Sequence, residues 1–115
     1  MAIDNIFHLE IIEIMENYVD RNRPPLEIRN KVDLSYRIQG HSVVVFLLRP
    51  ICNNPSEMGE YEAAKATYVK SKGLWNVYWL RADLKWHLYK PTSTVKDLHG
   101  FIILLEEDKH HCFWG

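Results

Sequence analysis

The chain has 115 residues, 47% of them hydrophobic, 12% aromatic and 25% charged, with a formal net charge of −1 from 14 basic and 15 acidic side chains. That content of aromatic and branched aliphatic residues excludes a disordered chain beyond the two termini, and the length predicts one domain over 1–115 with a core of its own. A near-neutral total excludes long-range attraction to polyanions or anionic membranes, so any such role needs a local patch.

The first ten residues, MAIDNIFHLE, carry acids where a secretory signal would be basic. The longest apolar runs, Val43–Leu48 and Phe101–Leu105, fall far short of the roughly 20 residues that cross a bilayer. The expectation is therefore a cytoplasmic protein with no membrane association, in which Cys52 and Cys112 are free thiols and not a disulfide framework.

From Asp4 to Arg21 the apolar residues Phe7, Ile11, Ile14, Met15 and Tyr18 recur at steps of three and four, with Glu10, Glu13, Glu16 and Asp20 between them. This predicts an amphipathic helix capped by Asp4 or Asn5 and stopped by Pro24-Pro25. Next, LEIRNKVDLSYRIQ alternates Leu26, Ile28, Val32, Leu34, Tyr36 and Ile38 with polar residues, the period of a half-buried strand. After a turn at Gly40-His41, SVVVFLL is apolar on both parities and predicts a central strand in a hairpin with the first.

Arg49-Pro50 opens a stretch to Glu60, containing Asn53, Asn54, Pro55 and Gly59, that reads as a long irregular loop of the kind that often carries function. EAAKATYVKS and LWNVYWLR, parted at Lys72-Gly73, predict a second hairpin, and LKWHLY a short fifth strand after a tight turn at Arg81-Ala82-Asp83. Ser93 or Thr94 is placed to cap a final helix with Val95, Leu98, Ile102 and Leu105 as its buried stripe. The order predicts an α+β fold: a mostly antiparallel sheet of about five strands with an N-terminal and a C-terminal helix.

Between Ala63 and Lys90, Lys65, Lys70, Lys72, Arg81, Lys85 and Lys90 face one acid, Asp83, with Tyr68, Trp75, Tyr78, Trp79, Trp86 and Tyr89 interleaved. Cations that hold phosphates beside rings that stack bases are the recipe for single-stranded nucleic acid. The competing reading is core packing: Trp75, Val77 and Trp79 share one parity of a strand and Asn76, Tyr78 and Leu80 the other, so several of these rings must be buried.

Two chemical patterns stand beside it. Asp83-Leu84-Lys85 is an acid and a lysine at the spacing that metal-dependent nucleases use to hold a divalent ion and orient a water, with Glu60 and Glu62 as candidates for the second acid. The spacing has little specificity, since Glu107-Asp108-Lys109 repeats it. Asp108, His110, His111 and Cys112 could each ligate a transition metal, but adjacent histidines on an extended chain point apart and no second ligand pair has metal spacing. No metal and no cofactor is therefore expected. Glu106, Glu107 and Asp108 end the last helix where its dipole disfavours acids, which calls for compensation by Lys109 or by the basic stretch.

The run AKATYVKSKGLWNVYWLRADLKWHLYKP, preceded by LLRP and followed by FIILLEEDKHHCFWG, resembles the bacterial domain-of-unknown-function 3024 family. The likeness covers roughly Val43 to Gly115. Its most specific phrases are the tryptophan-rich WNVYWLRADLKWHLY and the closing Cys-Phe-Trp-Gly, whereas the first helix and strand fit in general pattern only and His110-His111 stands outside the resemblance. It implies a small bacterial protein and brings no activity, ligand or catalytic residue.

The residues thus point first to a non-enzymatic binding module that contacts nucleic acid or another anionic partner through Lys65, Lys70, Arg81, Asp83, Lys85, Trp86 and His87. In that reading Arg81 and Lys85 supply charge, Asp83 orients one of them and His87 tunes binding near neutral pH. The alternatives are a metal-dependent phosphodiesterase centred on Asp83 and Lys85, and a turn whose ion pairs only fix strand register. Antiparallel edges such as the first strand could also pair in a homodimer.

Overall fold

A computed structural model describes residues 5–114. Helix α1 spans Asn5–Asn22 and is followed by the strands β1 (Asp33–Gln39), β2 (Ser42–Ile51), β3 (Asn54–Val69), β4 (Leu74–Leu80), β5 (Trp86–Leu88) and β6 (Thr94–Val95), then helix α2 (Leu98–Glu107). All strand pairs are antiparallel, in the order β1-β2-β3-β4-β5, with β6 beside β5 on the same edge of β4. The fold is α+β, two helices with an antiparallel sheet. The predicted cap Asp4 lies outside the described residues.

Both helices cover one face of the sheet. Ile11, Met15 and Tyr18 of α1, and Leu98, Phe101, Ile102 and Leu105 of α2, meet Leu34, Val43, Val45, Ala64, Ala66, Trp75 and Val77, all in one buried cluster. Ala64 and Ala66, both fully buried, belong to the same cluster as Phe101 and Trp75. On the other face, which no helix covers, Val44 and Phe46 are still buried. The Arg37 guanidinium lies over the Phe46 ring, 5.2 Å from its centroid, and pairs with Glu60 and Glu62 of β3. A long charged side chain here does the covering that a helix does opposite.

Three boundaries differ from the sequence expectation, each for a physical reason. The predicted strand over Leu26–Gln39 begins only at Asp33; Leu26–Ile28 is a 3-10 turn, with Leu26 74% and Ile28 40% exposed. Pro24-Pro25 and the Arg29 Nε bond to the Pro24 carbonyl turn the chain there, and β1 has a partner only as far as Asp33, opposite Leu48. The expected long loop from Arg49 to Glu60 is instead a hairpin arm, in which β2 runs to Ile51 and β3 starts at Asn54. Pro50 is tolerated in that arm because it lies past the end of β1, where its missing N–H deprives no neighbour.

At the C-terminal end, Thr94 and Val95 form β6 against Asn76 and Trp75, so Val95 is not part of the helix. Asp97 caps α2, its Oδ1 accepting the Gly100 N–H at 3.0 Å. A Cβ at Gly100 would sit 2.9 Å from the Val95 Cβ, so this glycine is what lets α2 lie against β6. Gly100→Ala is expected to force the two apart and lower stability by about 1–3 kcal/mol, read by urea unfolding; an unchanged midpoint would mean the helix shifts freely.

A candidate anion-binding cleft

The turn between β4 and β5 is built by its own residues. The Leu84 N–H donates to the Arg81 carbonyl at 2.8 Å, the Arg81 N–H to the Lys85 carbonyl at 3.2 Å, and Asp83 Oδ1 accepts the Lys85 N–H at 3.0 Å. Leu84 sits at φ 62, in the left-handed region that a leucine enters at a cost, and its side chain is exposed. The second oxygen of Asp83 meets His87 Nε2 at 2.8 Å. The bond to His87, then the one from the Lys85 N–H, holds the Asp83 carboxyl below the usual carboxylate range. Asp83 was expected to orient the side chain of Arg81 or Lys85. It orients His87 instead, and meets Lys85 only through the backbone.

Strand alternation then divides the other candidates between the two faces. Tyr78 pairs with Leu88, Trp79 with His87 and Leu80 with Trp86, so Trp79 and His87 share the helix side while Trp86 shares the open side with Tyr78. On that open side the Lys65 ammonium lies 5.0 Å from the Tyr78 ring centroid and 4.9 Å from that of Trp86. Burial lowers the Lys65 pKa and Glu62 partly restores it. Lys70 stands in the turn at the far end of β4, roughly 20 Å from the Arg81 turn at about 3.3 Å per residue. Lys85 is exposed and its ammonium has no carboxylate partner among the described residues. The seven predicted residues therefore do not form one surface.

What does come together is a cleft of about 420 Å³ on the helix side, lined by Trp79, Arg81, His87, Leu88, Lys90, Pro91, His110 and Cys112. Its size is that of a small-molecule site. Arg81, Lys90, His87 and His110 line it, and among the described residues no carboxylate does. The Arg81 guanidinium lies 5.4 Å from the centroid of Trp79, which presents a flat ring beside a bidentate donor.

The C-terminal tail supplies the far wall. Asp108 ends α2 in the left-handed conformation, φ 38, and is 8% exposed. Its two carboxylate oxygens accept the N–H groups of Phe113 (3.2 Å) and Trp114 (3.1 Å), and Trp114 Nε1 donates to the Leu105 carbonyl at 2.9 Å. The folded-back tail sets Phe113 against Tyr89, centroids 4.8 Å apart, and brings His110 and Cys112 over the cleft. Sequence reasoning missed this wall. The one signal for it was an aspartate, a residue tolerant of left-handed backbone, at a helix end where its charge is otherwise disfavoured.

The acids at that helix end are compensated locally and not by the basic stretch. Glu106 accepts from Asn22 at 2.9 Å and Arg21 at 3.3 Å, Glu107 pairs with Lys109 at 3.7 Å, and Asp108 holds the tail. With both Asp108 oxygens so occupied, the tail presents no metal set, and among the described residues no three His, Cys, Asp or Glu side chains converge on one point. Burial, then the charge of Asp108, pushes the Cys112 thiol up, the direction opposite to that of an activated thiolate. Glu60 and Glu62, the candidates for a second acid beside Asp83, are both held by Arg37. Among the described residues no helix is long and apolar enough to cross a membrane.

The model of the family described as Domain of unknown function (DUF3024) matches residues 5–115. No curated protein and no solved structure matches the chain.

Proposed function

Because the chain belongs to the DUF3024 family, whose description carries no activity, its function has to be argued from the cleft, and we propose that it is a non-enzymatic binding module for an anionic partner. The observation that carries this reading is the set Arg81, His87, Lys90 and His110 around Trp79, with no lining carboxylate among the described residues. Arg81 and Lys90 supply the positive charge and Trp79 a stacking surface. Asp83 positions His87, whose second ring nitrogen is left for the ligand.

Lys85 extends the basic rim, whereas Lys65 and Trp86 belong to the other face and Lys70 to the other end of the sheet. The phosphodiesterase reading has less support, because both oxygens of Asp83 are engaged and its candidate second acids are paired elsewhere. The same proposal takes the chain as one domain working in a reducing bacterial cytoplasm, with both cysteines free.

The test is a tryptophan-fluorescence titration with inorganic phosphate, a mononucleotide and short single-stranded DNA, at low and high salt. Saturable, salt-sensitive quenching is expected, weakened about tenfold or more in Arg81→Ala/Lys90→Ala, with the salt slope reduced by roughly one counterion per cation removed on a nucleic-acid probe. Quenching that the double variant leaves unchanged, or none with any probe, rejects the cleft.

A further inference from the structure

β1 ends the strand order and pairs only with β2. The two-residue turn at Gly40-His41 joins Gln39 to Ser42, and the closing pair of such a hairpin exchanges both of its hydrogen bonds. Alternation then commits Asp33, Ser35, Arg37 and Gln39 to β2 and turns the N–H and C=O groups of Leu34, Tyr36 and Ile38 outward. Leu34 agrees with this: its N–H is taken at 2.8 Å by the Asp33 carboxylate. The remaining outward groups of β1 have no backbone partner outside the sheet among the described residues.

The other edges are protected. The far side of β4 is shared by β5 and β6, which are three and two residues long, and Val77 between them bonds to Tyr89 and Ser93. The part of β3 beyond β4 carries Pro55 and lies next to a bulge at Val45/Phe46. β1 has none of these devices. Its seven residues, DLSYRIQ, contain no proline, glycine or lysine and pair in unbroken register.

We propose that the bare edge of β1 pairs antiparallel with the same edge of a second copy, about a two-fold axis at Tyr36. This register uses the whole strand. Tyr36 exchanges hydrogen bonds with its counterpart, and the Ile38 N–H donates to the Leu34 carbonyl of the second copy. On the helix side Leu34 then meets Ile38, apolar against apolar. On the open side Ser35 meets Arg37 and Asp33 meets Gln39, with Asp33 held by Arg23 and Arg37 by Glu60 and Glu62 within each copy. The two sheets become one, with the helices of both copies on the same side.

Sedimentation equilibrium of the full chain tests this. A dimer is expected, roughly tenfold weaker in Ile38→Pro, which removes the N–H that the Leu34 carbonyl of the second copy accepts, and in Tyr36→Pro, which removes the bonds exchanged at the two-fold axis. Far-UV circular dichroism of both variants establishes that they fold, and Ile38→Pro carries the test if Tyr36→Pro does not. A wild-type monomer up to the millimolar range, or a dimer that neither variant changes, overturns the proposal.

Discussion

Trp75→Ala is expected to lower stability by about 3–5 kcal/mol, the range for emptying a large buried aromatic site. Trp75 is 1% exposed, with its ring 5.2 Å from that of Tyr68 and 5.9 Å from that of Phe7. It is also where four elements meet: β4 carries it, Tyr68 of β3 and Val95 of β6 are its strand partners, and Phe7 brings in α1. Removing the indole leaves a void that these neighbours cannot close together, because each is held by a different part of the sheet. Thermal unfolding should show a loss of more than about 10 °C. Trp75→Phe, which keeps a ring, should retain much of that stability. If Trp75→Ala cost no more than a surface substitution, the helix-covered face would not be the core.

Asp108→Ala is expected to cost about 2–4 kcal/mol and to free the tail. The substitution strips the Phe113 and Trp114 N–H groups of a charged acceptor and leaves them without one, at a site 8% exposed. It also places alanine at φ 38, where aspartate and asparagine are better tolerated. Asp108→Asn keeps the backbone preference and one oxygen acceptor, so its loss should be smaller. The consequence for the cleft is direct, because His110 and Cys112 reach it only through the folded-back tail. Limited proteolysis should cut Asp108→Ala after α2 under conditions that leave the wild type whole, and anion binding should weaken with it. A tail that stays protected in this variant would mean that Phe113 packing and the Trp114 Nε1 bond to the Leu105 carbonyl hold it without Asp108.

These two residues mark what could and could not be read in advance. Trp75 belongs to an alternating strand, and local periodicity already placed it on the same side as Val77. Asp108 gave no such sign. Its role depends on the chain reversing after α2, and the same residue read as one of three misplaced acids at a helix end.

The candidate site divides in the same way. The basic and aromatic excess between Ala63 and Lys90 is plain in the sequence, but its assembly is not. Lys65 and Trp86 meet on the open face because β3, β4 and β5 align Tyr78 between them, while His87, one residue from Trp86, turns to the opposite side. Lys90, Trp79 and His110 meet across the cleft from three separate stretches of chain.

The sequence by itself determined the class of fold, the two helices, the hairpins at Gly40-His41 and Lys72-Gly73, and the buried parity of the first strand. All of these follow from residue period and turn chemistry within a few neighbouring positions. Only the tertiary structure decided that Arg49–Glu60 is a paired arm, that Val95 is a strand residue, that the tail closes a cleft and that β1 is left as a bare edge. Each of those depends on which partner a segment finds, and hydrogen bonds and contacts between distant segments leave no periodic trace in either one.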